Sequence, residues 1–224
     1  MPMLVAYGHS YVEGAGASEP RHGFVRLVSV ATHSSLRNLA VGGSLSHETV
    51  TEVEKEQHAD ADAIVLMVGL NDARLYGEQA TALTGYETAL AGMFTNFARR
   101  SPRARVIAVE QPPLLDYSQH APFDNGSDAL IERYNRCLGK VAAGFLQVEL
   151  ARPADWDPAR MLAPDSVHPN DLGHHTIAKA VIHVWLESIR AEQCVEIPEE
   201  LLPPATFSRR TPFAPGSNES GPRR

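Results

Sequence analysis

Residues 63–72 read AIVLMVGLND. Apolar residues run unbroken from Ala63 to Val68 and end in Gly69. No polar residue alternates with them, so a strand formed here has no face left for water. That is the pattern of a parallel strand covered on both sides. Four more runs are predicted as strands: MLVAYG (3–8), RNLAVGG (37–43), ARVIAVE (104–110) and GFLQVEL (144–150). The segments between them carry helical spacing. Phe24, Leu27, Val28 and Ala31 share one face; Tyr86, Leu90, Met93, Phe94 and Phe97 share another. Leu130, Ile131, Tyr134, Leu138 and Val141 align, as do Ile177, Val181, Val184 and Trp185 in a last helix over 171–190. Residues 47–57 predict a polar surface helix. Strand and helix in alternation predict the α/β class, a three-layer α/β/α sandwich around a five-stranded parallel sheet.

Composition sets the bounds. A chain of 224 residues that is 43% hydrophobic can bury one sizeable core. Beyond Ile197 the composition changes: six of the last 27 residues are proline. We therefore predict a domain over 1–197 and a flexible Pro-rich tail over 198–224. The net charge of −7, the pI of about 5.8 and the lack of a long basic run argue against nucleic-acid binding. No apolar run reaches the ~18–20 residues that span a bilayer. The first predicted strand begins at Met3, which leaves no room for an export signal. Cys137 and Cys194 form no CxxC, as expected of free thiols in a reducing compartment. The expectation is a soluble cytoplasmic protein that uses no cofactor and no metal and meets neither nucleic acid nor membrane.

In open parallel sheets ligands bind outside the carboxyl ends of the strands. Ser10 follows the first predicted strand, Gly42-Gly43 end the second, GLND (69–72) follows the third and DSVHPNDLGHH (165–175) follows the fifth. Singly, each has an ordinary explanation: a turn serine, turn glycines, an Asx turn, a loop before a helix capped by Asn170 or Asp171. Together they fall at one edge of one sheet and are chemically complementary. A serine hydroxyl becomes a nucleophile when a base takes its proton, and His168 can be that base. Asp165 can accept from the second ring nitrogen and fix the tautomer. The backbone N–H groups of Ser10 and Gly43 and the side-chain amide of Asn71 can hold a developing oxyanion.

These residues carry a resemblance. The chain resembles the SGNH, or GDSL-type, serine hydrolases over about residues 4–190. Gly8-His9-Ser10 stands at the family's Gly-Asp-Ser block, and NLAVGG (38–43) at its second block with Gly43. GLND matches the third, and DSVHP (165–169) the last. Softer matches are the prolines Pro112-Pro113 and the pair Tyr134-Asn135. The resemblance implies a flavodoxin-like SGNH hydrolase fold with Ser10, Gly43, Asn71 and His168 in the four named roles and Asp165 completing the triad. His9 departs from the family's aspartate, and is expected to alter the hydrogen bonds of the Ser10 turn or the mouth of the site.

Other motifs are not met. Val12 stands where the nucleophile elbow needs its second glycine. Glu19 replaces the third glycine of a dinucleotide loop. His174-His175 has no accompanying HExxH or carboxylate cluster; His174 is expected near the site and His175 on the surface, with His33, His58 and His120. The long connection QPPLLDYSQHAPFDNGS (111–127) offers Leu114, Leu115, Tyr117 and Phe123 as the lining of an apolar acyl pocket or, equally, as the core of the loop itself; with His9, Leu114, Tyr117 and Phe123 are the candidate substrate contacts. The functional expectation is cleavage of a small carboxylic ester through an acyl-enzyme. The alternatives are acyl transfer or thioester cleavage by the same residues, or a binding protein that keeps the fold.

Overall fold

The apolar run at 63–67 becomes the middle strand of the sheet. The protein is seen in a computed structural model that describes residues 1–56 and 58–193. Strands β1 (Met3–Gly8), β2 (Ser35–Asn38), β3 (Ala63–Met67), β4 (Arg105–Val109) and β5 (Val148–Ala151) pair in parallel in the order β2-β1-β3-β4-β5. In the register, Ala6 of β1 stands between Asn38 of β2 and Val65 of β3. All of β3, and β1 from Leu4 onward, is buried, as strands without polar alternation require.

Eight helices accompany the sheet among the described residues: α1 (Ser10–Glu13), α2 (Phe24–Ala31), α3 (Ser46–Lys55), α4 (Leu70–Tyr76), α5 (Ala82–Arg100), α6 (Asp128–Ala142), α7 (Pro158–Met161) and α8 (Asp171–Gln193). α2 packs on α8 over one face of the sheet, and α5 packs between α3 and α6 over the other. α5 buries the five apolar residues its spacing nominates, and Phe97 meets the Tyr7 ring of β1 at 5.7 Å. Each such burial contributes roughly 1.5–3 kcal/mol. In α2, Phe24 and Val28 are buried and Leu27 is partly so, while Ala31, at its end, is exposed.

The chain moves from β1 to β2 on one side, then crosses back to β3 on the other. The order of connections therefore reverses between β1 and β3, where such sheets open a crevice. Ser10 follows β1 and Asn71 follows β3, so both stand at that opening.

Three expectations need correction. The second strand was expected at 37–43 but spans Ser35–Asn38. Beyond Asn38 the chain still runs beside β1, with Leu39 N–H on the Ala6 carbonyl and Val41 N–H on the Gly8 carbonyl, but the Asn38 side chain takes the Ala40 N–H and regular pairing stops. The fifth strand was expected from 144, but the last turn of α6 winds on through Gly144 and Phe145, so pairing starts at Val148. His58 is not a surface residue. It is fully buried, with Nδ1 at 2.6 Å from Ser101 Oγ and Nε2 at 3.2 Å from Asn96 Oδ1. Burial pushes its pKa down. Cys194 and the tail expected over 198–224 lie outside the described residues. Among those residues no helix is long and apolar enough to cross a membrane.

Candidate active site

Ser10 is the first residue of α1, directly after His9 at its N-cap. Its backbone N–H is one of the four that a helix start leaves without an intrahelical partner. Its hydroxyl is half-buried and lies 3.0 Å from His168 Nε2. His168 Nδ1 lies 2.6 Å from Asp165 Oδ2. Asp165 Oδ1 accepts the backbone N–H groups of Val167 (3.0 Å) and His168 (2.9 Å). Burial raises the pKa of Asp165, but the hydrogen bonds from the His168 ring and these two amides outweigh it and hold the carboxyl below its usual value. The three side chains, 158 and three residues apart along the chain, thus form one continuous row.

Two contacts hold the His168 turn against the Ser10 helix. The Tyr11 hydroxyl donates to the Val167 carbonyl at 2.5 Å. Gly16, at φ 90°, lies so close that a Cβ there would sit 2.3 Å from the Pro169 oxygen and 2.8 Å from His168 Cβ. Only glycine combines that φ with that approach. Asn170 then caps α8 by accepting from Leu172 and Gly173 N–H.

The glycine turn lies beside the serine: a Cβ on Gly42 would stand 4.0 Å from Ser10 Cβ. Gly43 adopts φ 76°, a left-handed conformation that favours glycine, with open space where a side chain would project. Asn71 lies in the first turn of α4 and is almost fully buried. Its amide donates to the Ser44 carbonyl at 3.0 Å, which leaves its second N–H without a partner among the described residues.

The description of the GDSL-like lipase/acylhydrolase family matches residues 6–176 of this chain. The chain belongs to that family. Known structures share the fold of this GDSL-like chain. A lipase/acylhydrolase from Enterococcus faecalis superposes with a TM-score of 0.66 at 17% identity, over 84% of this chain and 97% of that one. The salicylyl-acyltransferase SsfX3 from a tetracycline biosynthetic pathway gives 0.64 at 20% identity, over 87% of this chain and 55% of that one. A carbohydrate esterase family 2 enzyme from Corynascus thermopiles gives 0.65 at 13% identity, over 84% and 67%. No curated protein matches the sequence.

In this GDSL-like chain His9 takes the first of its two expected places, in the hydrogen bonds of the Ser10 turn, and is neither at the mouth of the site nor open to substrate. It is fully buried. Nδ1 accepts the Tyr11 N–H, capping α1, and Nε2 donates to Gln111 Oε1 at 3.3 Å. Burial drives its pKa down to about 3, against the opposing Gln111 bond, so the ring is neutral. The sign of the linkage follows. Between pH 6.5 and 3 the unfolded chain binds a proton at His9 that the folded chain does not, so this contribution is present above 6.5 and lost as pH falls. Against His9→Asn, which keeps a cap acceptor without the titration, wild type is expected to lose about 1.4 kcal/mol more per pH unit in that window. Urea unfolding at pH 7, 6 and 5 measures this; parallel curves for the two proteins would refute it.

Of their two expected roles, Leu114 and Tyr117 take the one in the loop's own core and not that of substrate contacts. Leu114 is buried in the core, and the Tyr117 hydroxyl accepts the Leu114 N–H and donates to Asp128. Both support their own loop. Phe123 stands apart from them. With Leu39, Val41, Gly42, Gly43 and Ser44 it lines a cavity of about 550 Å³. Sequence reasoning gave no role to Gln111, which is held by Asn135 and by the Val68 carbonyl while it receives His9. The pair Tyr134-Asn135 was the only signal for it. Asp72, the last residue of GLND, accepts from the Ser46 amide and hydroxyl and anchors the start of α3. His174, expected near the site, is buried between Phe24 N–H (3.2 Å) and the Ala15 carbonyl (3.0 Å), and burial lowers its pKa.

Proposed function

We propose that the protein is a serine hydrolase that cleaves a small carboxylic ester through an acyl-enzyme. The observation that carries the reading is the row from Ser10 Oγ through His168 to Asp165, at 3.0 and 2.6 Å. Ser10 Oγ attacks the ester carbonyl as its proton passes to His168 Nε2, and Asp165 stabilises the imidazolium. The carbonyl oxygen takes up negative charge opposite the N–H groups of Ser10 and Gly43 and the amide of Asn71. The C–O bond to the alcohol then breaks, and His168 returns the proton to the leaving oxygen. Water, deprotonated by the same ring, attacks the acyl-enzyme and frees the acid and Ser10. The cavity beside Gly43 has Leu39, Val41 and Phe123 on its wall together with Glu48 and Glu52, and we place the substrate there with its apolar part against the first three.

A fluorophosphonate probe tests the reading. Wild type is expected to gain one adduct, mapped to Ser10 by peptide mass spectrometry, while Ser10→Ala gains none. Equal labelling of the two proteins, or none in either, would defeat it. Asn71→Ala is expected to lower kcat about 10²–10³-fold with little change in KM, because its donor is used most in the transition state. A KM effect alone would assign Asn71 to ground-state binding. A second reading, acyl transfer to an alcohol, draws on the fold shared with the salicylyl-acyltransferase. Partition of the acyl group between water and added alcohols separates the two.

A further inference from the structure

Arg74 lies three residues after Asn71 on α4 and has no part in the chemistry proposed above. It is 4% exposed. Its Nε is buried with no acceptor among the described residues. An Nε–H so placed costs free energy, because no acceptor among the described residues replaces the water it has lost. What Arg74 does hold is one loop. Nη2 donates to the Gln119 carbonyl at 3.2 Å, and the guanidinium carbon stands 5.9 Å from the centre of the Phe123 ring. The Arg74 carbonyl accepts the Asn125 N–H at 2.9 Å. Gly126 rides on the stem, where a Cβ would come within 3.1 Å of Arg74 Cγ.

The loop held in this way carries His120. Its Nε2 donates to the backbone carbonyl of Asp165 at 3.0 Å. His120 has φ 67°, a strained conformation for a residue with a side chain, which persists only where the surroundings impose it. Asp165 is thus held twice. Its carboxylate is bound from inside its own turn by the Val167 and His168 amides, and its carbonyl is bound from outside by the loop. The charge of Asp165 also acts on Arg74: burial lowers the pKa of the guanidinium, and the fields of Tyr11 and Asp165 oppose that.

We propose that Arg74 is a positioning residue: by pinning residues 116–126 it keeps His120 on the Asp165 carbonyl, and so keeps the Asp165 carboxylate aimed at His168. This rests on the serine-hydrolase reading. The test uses the full chain with His120→Ala, Arg74→Met, the double variant and Arg74→Lys. Turnover of p-nitrophenyl acetate is measured beside the low-field proton resonance of the His168 Nδ1–H, which reports the bond to Asp165 without any substrate. His120→Ala and Arg74→Met are each expected to lower kcat about ten-fold, with KM within about two-fold, because a small misplacement of the acid weakens the relay. The double variant is expected to fall no further, since both changes act through one loop. Arg74→Lys, which keeps the charge and a donor for the Gln119 carbonyl, is expected to recover part of what Arg74→Met loses. The resonance is expected to move in all four.

A double variant that multiplies the losses to about a hundred-fold would overturn the shared route. Full activity in His120→Ala, or in a folded Arg74→Met, would overturn the pin. His120 is exposed at its loop, so its variant tests the proposal even if Arg74→Met does not fold. A wild type that fails to label at Ser10 would defeat the hydrolase reading. A labelled wild type with an unmoved resonance in His120→Ala would defeat only the positioning role.

Discussion

Ser10→Ala is expected to lower turnover of a small ester at least about 10⁴-fold and to leave the protein folded. The hydroxyl makes one hydrogen bond, to His168, and sits at the surface end of a helix capped by His9. Its removal therefore deletes the proposed nucleophile and almost nothing else. The change in stability is expected within about 0.5 kcal/mol, as for substitutions away from buried features. His168→Ala is expected to cost a similar factor, and the double variant no more than either single one, because nucleophile and base act as a unit. Initial rates beside thermal melts measure all three. Activity above a tenth of wild type in Ser10→Ala would move the nucleophile elsewhere. Losses that multiply in the double variant would mean that Ser10 and His168 act separately.

Asp165→Asn is expected to cost about 10⁴-fold in kcat, although it removes only a charge. The structure says how. Asp165 Oδ1 is committed to the N–H groups of Val167 and His168, so an amide here keeps its oxygen on them and turns its NH₂ towards His168 Nδ1. Nδ1 must then accept, which puts the ring proton on Nε2. The nitrogen facing Ser10 becomes a donor, and the hydroxyl loses its base. Asp165→Ala frees the ring from this wrong tautomer but also deprives two amides of their acceptor, so it is expected to lose stability as well, by about 1–3 kcal/mol. Ring-nitrogen chemical shifts of His168 read the tautomer directly. An Asp165→Asn protein that keeps Nε2 unprotonated, or keeps a tenth of its activity, would contradict the assignment.

How much of this was legible before folding varies element by element. β1, β3 and β4 were readable because a strand covered on both faces must be apolar along its length, and that shows in consecutive residues. α5 was readable because one buried stripe repeats along one helix. The edges were less so. β2 and β5 each have one neighbour, so their burial is weak and their ends are set by side-chain and turn bonds, as at Asn38 and Gly144. α4 was not anticipated, because its start at Gly69 depends on a left-handed glycine packed against Tyr86.

The candidate site divides in the same way. Ser10, Gly43, Asn71, Asp165 and His168 could be nominated from the chain alone, since each belongs to a short motif within or after a predicted strand and chemistry restricts the residue type. The meeting of Ser10, His168 and Asp165 at 3.0 and 2.6 Å needed tertiary packing: the Tyr11 hydroxyl on the Val167 carbonyl and the close approach of Gly16 to Pro169 bring the turn after α7 against the start of α1. His9 shows the limit from the other side. Nothing local distinguishes a histidine at a site's mouth from one that caps a helix; burial against Gln111, 102 residues away, does. Arg74 and His120 were silent for that reason too. A residue that acts through a neighbour has its partner chosen by packing, whereas the pattern of burial in a strand or helix is written into the residues that form it.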